Sequence, residues 1–384
     1  MNYKLYADGI HDDYPAIQEM LDSKISEIYL PPTKNCYRIS KTLKIYSGQT
    51  LRTAPTTVIM LLPDSNCAML ENADFSELAE DVCIDGGIWD MCHNEQNPNP
   101  YHFPDKNGKF FRDYAKEINY DTATSSAFPN FYSGMAMRFC RVKRFTMKNV
   151  TFRNPVIYGV QIAYAENFTF QNINFDYTEG SPKLWNMDGI HIEGYCKNGF
   201  LTNLKGACHD DTVAITCDDG LYGPIENIRI DGIYGEGSHS AVRLLSHGIP
   251  LKNVHISNVY GSFYTYCIGL TKYHGGEEER GIMENIIIDN VYAKGSLGTK
   301  DVGAGNFPFI WIEGGLDVNG FKVEHIFRKE DTLSVPMIKV DQGASVKNLV
   351  LNDIVLQNNL EVPIIQLAFE GEVEITSQQN VESK

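Results

Sequence analysis

One short unit recurs along this chain, reading Asn, apolar, x, apolar, x, Asn or Gly, apolar, and no other feature restricts the fold as strongly. It stands at Asn167-Phe168-Thr169-Phe170-Gln171-Asn172-Ile173, Asn227-Ile228-Arg229-Ile230-Asp231-Gly232-Ile233, Asn253-Val254-His255-Ile256-Ser257-Asn258-Val259 and Asn285-Ile286-Ile287-Ile288-Asp289-Asn290-Val291. Weaker copies begin at Arg144, Gly320 and Asn348, so the copies step by 23, 60, 26, 32, 35 and 28 residues, and the step of 60 conceals a degenerate copy near Gly199-Phe200. A unit of one alternating strand and one polar corner buries its apolar side only by stacking on its neighbours, which makes a solenoid. Leucine-rich repeats are excluded by the missing Leu spacing, helical repeats by the missing 3.6 period, and a β-sandwich would show hairpin turns without matched repeats. The expectation is an all-β, single-stranded parallel β-helix over residues 1–384 as one domain. Asn at the repeated corner suits it, because Asn tolerates left-handed backbone and can bond to the Asn of the next coil.

Two segments depart from the rhythm. Asp13-Tyr14-Pro15-Ala16-Ile17-Gln18-Glu19-Met20-Leu21 sets an N-cap candidate and an early Pro before apolar residues 16, 17, 20 and 21, which predicts a short amphipathic helix capping the first coil. Residues 93–133, rich in Pro, Asn and aromatics, read as an inserted loop able to wall a cleft.

Composition narrows the function. The 43% hydrophobic and 21% charged content belongs to a folded chain, and the net charge of −16 disfavours nucleic acid or an anionic membrane as a partner. No apolar stretch approaches the roughly 20 residues that span a bilayer. Met1-Asn2-Tyr3-Lys4-Leu5-Tyr6 lacks an apolar signal region, so a cytoplasmic location is expected if Met1 is the native start, and a secreted or periplasmic one if the natural chain begins earlier. Nine cysteines without a C-x-x-C pair read as free thiols and argue against zinc.

The densest acidic constellation is Asn186-Met187-Asp188-Gly189-Ile190 followed by His209-Asp210-Asp211-Thr212-Val213-Ala214-Ile215. The step from Asp188 to Asp210 is 22 residues, one coil, which predicts adjacent coils about 4.8 Å apart. Neighbours in a regular strand face opposite sides, so Asp210 and Asp211 share a groove only where the strand ends or bulges. Crowded carboxylates raise one another's proton affinity, and a protonated acid beside an ionised base is what glycosidic hydrolysis requires. From spacing alone a surface turn or a calcium site fits equally. Asp218-Asp219-Gly220 reads mainly as a turn, Gly275-Gly276-Glu277-Glu278-Glu279-Arg280 as a solvated loop, and His209 and His247 as structural.

These motifs resemble glycoside hydrolase family 28, the polygalacturonase and rhamnogalacturonase family within the pectin-lyase-like superfamily. Asn186-Met187-Asp188 resembles its N-T-D, and Asp210-Asp211-Thr212-Val213-Ala214-Ile215 its D-D-C-x-A-I. Cys83-Ile84-Asp85-Gly86-Gly87-Ile88-Trp89 is similar to its I-D-G-G-G-x-W, and Phe152-Arg153-Asn154-Pro155-Val156-Ile157-Tyr158 to its L-x-N-S-P-x-W. The resemblance covers roughly residues 80–270 and implies a right-handed helix, an inverting hydrolase without metal or cofactor, and a pectin-type oligo- or polysaccharide substrate. It implies that Asp210 protonates the leaving group while Asp188 and Asp211 position and deprotonate water, with Asn186 beside the substrate. The family's G-H-G is matched only by Ser238-His239-Ser240, and its R-I-K falls near Ile268-Gly269-Leu270-Thr271, without either cation. That argues against a uronate in this subsite unless Arg243 or Lys272 replaces them. His239 is expected near the acids or the sugar, and Trp185 and Tyr273 are the expected stacking platforms. Loops 93–133 and 295–306 would close the groove for exo action. Two other classes stay open: a calcium-dependent polysaccharide lyase, and a non-catalytic carbohydrate-binding or tailspike-like β-helix.

Overall fold

The computed structural model describes residues 4–180, 182–273, 276 and 278–384. Met1, Asn2 and Tyr3 of the amino-terminal reading, and Gly275 and Glu277 of the acidic loop, lie outside the described residues. Helix makes up 5% of the chain and strand 49%, with parallel pairing throughout, so the fold is a right-handed parallel β-helix. Two compact units divide it, Met1–His191 and Ile192–Lys384.

In the first unit the helix Tyr14–Asp22 lies against the strand Leu43–Ile45 of the opening coil. Ile17 and Leu21 are fully buried, as the spacing predicts, but the third inward residue is Gln18, whose amide accepts from Lys44 N–H at 2.8 Å and donates to Lys44 O at 3.2 Å. Those bonds satisfy edge groups that a purely apolar helix would leave bare. Asp13 does not cap the helix with its side chain, which instead accepts from the N–H groups of Tyr6 and Ala7. The inward residues stack in columns: Ile28, Leu51, Ile84, Met147 and Phe170 follow one another in register, all fully buried. The Gly86-Gly87 motif is a corner. Gly86 has φ +94°, and a Cβ there would lie 2.3 Å from Thr53 O, so only glycine fits; Trp89 then turns inward and donates to Gly86 O at 3.3 Å.

Residues 93–133 contain no strand, as expected of an insertion, but they hold a helix, Phe111–Glu117, that the sequence reading did not contain. None of its residues is buried, so it carries no apolar stripe that periodicity could detect.

The second unit repeats the scheme with longer strands. Leu201, Ile230, Ile256, Ile288, Val323 and Leu351 form one buried column in unbroken register. At its corner Asn227 donates to Asn198 at 3.1 Å, Asn253 to Asn227 at 2.9 Å and Asn285 to Asn253 at 3.0 Å, and all four have left-handed φ. The concealed repeat therefore starts at Asn198, one residue before the Gly199 expected. Arg328 and Glu330 form a fully buried pair at 2.7 Å. Glu330 also accepts from the N–H groups of Gly295, Thr332 and Leu333, and Arg328 donates to Val335 O and Leu333 O. All nine cysteines are free thiols.

Two outcomes follow. Asn253→Ala removes two rungs and forces Ala into left-handed backbone, and should cost about 1–3 kcal/mol in urea denaturation, part of it recovered by Asn253→Gly. Burial alone would raise the Glu330 carboxyl, but Arg328 and three backbone N–H groups hold it below the ordinary glutamate value. Its stabilisation is therefore present above the unfolded value of about 4.3 and is lost as pH falls through the folded one. The urea midpoint should drop on acidification, and less steeply in Glu330→Gln.

Candidate active site

The strand Asp211–Thr216 begins at Asp211, so Asp210 precedes it in a bend and escapes strict alternation. Asp211 is in register with Ser240 at the head of the strand Ser240–Leu245. One residue upstream, across the same two coils, Asp210 Oδ1 lies 3.6 Å from His239 Nδ1. Both side chains keep about a fifth of their surface, 22% for Asp210 and 18% for His239. The imidazole is held by backbone bonds on either side, His239 N–H to Cys208 O and Thr265 N–H to His239 O, and by the edges of Tyr264 and Tyr266. His239 thus stands beside Asp210, near the acids as expected.

Asp211 is in a different state. It is fully buried, and its Oδ1 accepts from Ser240 Oγ and from Tyr266 Oη at 3.1 Å. Arg243 Nε lies 2.8 Å from its Oδ2, a close ion pair whose N–H is not aimed along the line, and Arg243 Nη2 is 3.6 Å from Asp219. Burial opposes the charge on Arg243, but Asp211 and its neighbours hold the guanidinium firmly protonated. Burial, then Asp211, pushes the Tyr266 hydroxyl up, so it stays a donor. Arg243 is therefore committed to the protein's own carboxylates. Its register partner on the next coil is Gly269, in the stretch Ile268–Thr271, which carries no cation. Around Gly269 stand aromatic rings instead: Tyr266, Phe307 and Trp311 lie with centroids 4.8–6.0 Å apart.

The other predicted residues are anchored separately. In the first unit Asp188 is buried with Oδ2 2.7 Å from His191 Nδ1, and the His191 ring stacks on Tyr158 at 4.2 Å. Trp185 stacks on Phe103 at 5.8 Å, and Asn186, in left-handed conformation, accepts from Asn99 at 3.2 Å. The insertion thus packs on both. In the second unit Lys272 and Tyr273 donate their N–H groups to Glu313, and Lys272 Nζ donates to Gly276 O. Lys272 makes no ion pair among the described residues, and Tyr273 is 64% exposed. Gly305 N–H donates to Tyr264 O at 2.7 Å, tying loop 295–306 beside His239.

Asp218 is more than the turn expected. It is buried, accepts from the N–H groups of His247 and Ile249, and makes His247 the structural residue it was taken for. Sequence reasoning missed Ser240 and the Asp219 contact; the register of Asp211 with Ser240 was the available signal. Among the described residues two groups bring three ligand atoms together, Asp210 with Asp211 and His239, and Asp289 with Glu324 and His325. In the first, the Arg243 guanidinium already neutralises Asp211, which disfavours a cation.

Comparison with known proteins adds to this. The model of glycosyl hydrolases family 28 matches residues 107–241, a stretch that includes Asp188, Asp210, Asp211 and His239 and stops short of Arg243 and Lys272. A hyperthermoactive exopolygalacturonase from Thermotoga maritima is 15% identical with TM-score 0.63, covering 98% of this chain and 90% of its own. Endo-xylogalacturonan hydrolase from Aspergillus tubingensis is 14% identical with TM-score 0.59, covering 97% and 98%. The surface adhesin PfbA of Streptococcus pneumoniae is 14% identical with TM-score 0.58, covering 96% and 89%. At such identity the likeness is one of fold. No curated protein matches the chain by sequence.

Arg243→Met should destabilise the protein by about 3–5 kcal/mol in urea denaturation, because it strands the buried Asp211 charge. Asp211→Asn in the same chain should restore part of that loss. A cost below about 1 kcal/mol, the range of surface pairs, would contradict the pairing.

Proposed function

We propose that this chain is an inverting glycoside hydrolase acting on a pectin-type or related oligosaccharide, with Asp210 as general acid. The observation that carries this is the contrast within the acidic pair. Asp210 is partly exposed beside His239, whereas Asp211 has both oxygens engaged by Ser240, Tyr266 and Arg243. A leaving-group acid must reach the glycosidic oxygen and surrender a proton there, and only Asp210 of the two has a solvent-facing carboxyl. The family match over residues 107–241 supports the same assignment.

In this reading Asp210 gives its proton to the departing sugar oxygen as the bond to the anomeric carbon breaks. Water attacks the opposite face and loses its proton to a carboxylate. Asp188 and Asp211 share the task of holding and deprotonating that water. Asp188's part rests on its motif and the 22-residue step to Asp210. Asp211, buried with Oδ1 hydrogen-bonded and Oδ2 ion-paired to Arg243, is better fitted to orient than to accept a proton. His239, 3.6 Å from Asp210, is close enough to orient its carboxyl toward the leaving group. Asn186 and Trp185, braced by the insertion, and Lys272 and Tyr273 are the proposed sugar contacts.

Where the family pattern carries two cations this chain has Gly269 and Thr271, and Arg243 is spent on Asp211 and Asp219. With Tyr266, Phe307 and Trp311 grouped there, the reading favours a neutral sugar in that subsite, stacked on aromatic surface.

Asp210→Asn should lower turnover by about 10²–10⁴-fold on whichever member of a pectic and neutral oligosaccharide panel the wild type cleaves, measured as new reducing ends. Chelator should leave the wild-type rate unchanged. Undiminished activity in the variant would remove Asp210 from the chemistry, and chelator-sensitive release of unsaturated uronate would move the protein to the lyase class.

A further inference from the structure

An aromatic row of the second unit lies on strands that carry none of the acidic cluster. Tyr234, Tyr260, Tyr292 and Phe327 occupy the same register position on four successive coils. Tyr234 stacks on Tyr260 with centroids 5.3 Å apart, and Tyr292 on Phe327 at 5.0 Å, in two near-parallel pairs. About half of Tyr234 and Tyr292 remains exposed, at 49% and 53%. Beside the rings runs a second outward row, Glu236, Ser262 and Lys294, and the row between them is Gly235, Gly261 and Ala293. With no large side chain between the two polar-edged walls, a trough of about 600 Å³ opens.

Rings repeated once per coil set a spacing of about 4.8 Å along the trough. Stacking between coils accounts for each ring pair, but not for Tyr234 and Tyr292 standing exposed along an open furrow that Tyr260 also lines, and exposed aromatic surface of this kind marks a binding surface. Tyrosine presents an apolar rim and a hydroxyl together, which suits a ligand that alternates C–H and O–H edges. Charge narrows the ligand. Lys294 is paired with Asp331 at 2.8 Å. Lys329, which also lines the trough, and Lys205, in register above Tyr234, make no ion pair among the described residues. Within the lining Lys294 and Lys329 balance Asp331 and Glu236, and Lys205 at the end of the tyrosine row adds one positive charge, on a chain of net charge −16.

We propose that this trough is a second carbohydrate-binding site, separate from the acidic cluster, which takes a linear oligosaccharide bearing carboxylates. The strand lies along the tyrosine row with its uronate groups toward Lys329 and Lys205. The site does not depend on hydrolysis at Asp210. With a neutral sugar in the catalytic subsite, it would suit a heteropolymer in which uronates alternate with neutral residues.

Calorimetric titration of full-length Asp210→Asn protein with a linear oligogalacturonate and with a neutral xylo-oligosaccharide tests it. The oligogalacturonate should bind the more tightly. Adding Lys329→Glu, an exposed change, or Tyr292→Ala should weaken that binding about tenfold, the loss of one charged or aromatic contact. The Lys329→Glu change in otherwise wild-type protein should leave turnover of a short substrate and thermal stability unaltered. Unchanged affinity in both variants would overturn the site, as would equal binding of the neutral strand. Self-association abolished by Lys329→Glu would also overturn it, assigning the face to a second copy of the chain. If Asp210→Asn fails to reduce hydrolysis, only the catalytic reading falls, because the titration reads binding alone.

Discussion

The asparagine at the corner of four successive coils, Asn198 to Asn285, is the constraint from which the rest of the second unit follows. A β-helix has no hairpins to fix register, and a slip of one residue would turn every inward side chain to solvent. Asn198, Asn227, Asn253 and Asn285 prevent it by combining left-handed corners with three amide bonds, each joining one coil to the coil before. The corner fixes where each strand leaves the turn, and the amide fixes which residue lies above which. Once that is set, the buried column from Leu201 to Leu351 is in register without further adjustment, and so is the pairing of Asp211 with Ser240. The chemistry inherits its geometry from the same source. Asp210 meets His239 because their coils are stacked residue on residue.

A carboxylate pair on adjacent residues would be self-repelling if both were left alike. Here the two are differentiated by their surroundings. Burial, two O–H donors and a guanidinium fix Asp211, and the bend before the strand leaves Asp210 toward solvent. Two identical side chains thus acquire distinct surroundings, and it is this difference that the proposed roles draw on. The same ion pair bears on specificity, since an arginine held by two carboxylates of its own chain is poorly placed to grip a substrate carboxylate.

Much of this was legible in the sequence because it lies in short periodic patterns. Alternation within seven residues and an Asn at the corner specify strand, turn and stacking together, and the adjacent Asp210-Asp211 pair marks the acidic group of the second unit. The Ser238-His239-Ser240 match put His239 near the acids, and the structure sets it 3.6 Å from Asp210. What escaped has physical reasons. The helix Phe111–Glu117 buries nothing, so it leaves no apolar period. Asp218 looked like a turn because its neighbour Gly220 is one, while its role as a buried anchor for His247 depends on a residue 29 positions away. Arg243 read equally as a substrate cation or an inter-coil residue, and only its distances to Asp211 and Asp219 separate the two. The tyrosine row was hidden by unequal coil lengths, which spread its members over irregular steps.

The most direct test of the assignment of Asp210 and its partners is the configuration of the first product. Proton NMR during early turnover of an oligosaccharide that the protein cleaves reports the anomer before mutarotation. Direct water attack opposite a leaving group protonated by Asp210 requires the inverted anomer to appear first. A retained anomer would demand a covalent glycosyl-enzyme intermediate and contradict the proposed roles of Asp188, Asp210 and Asp211.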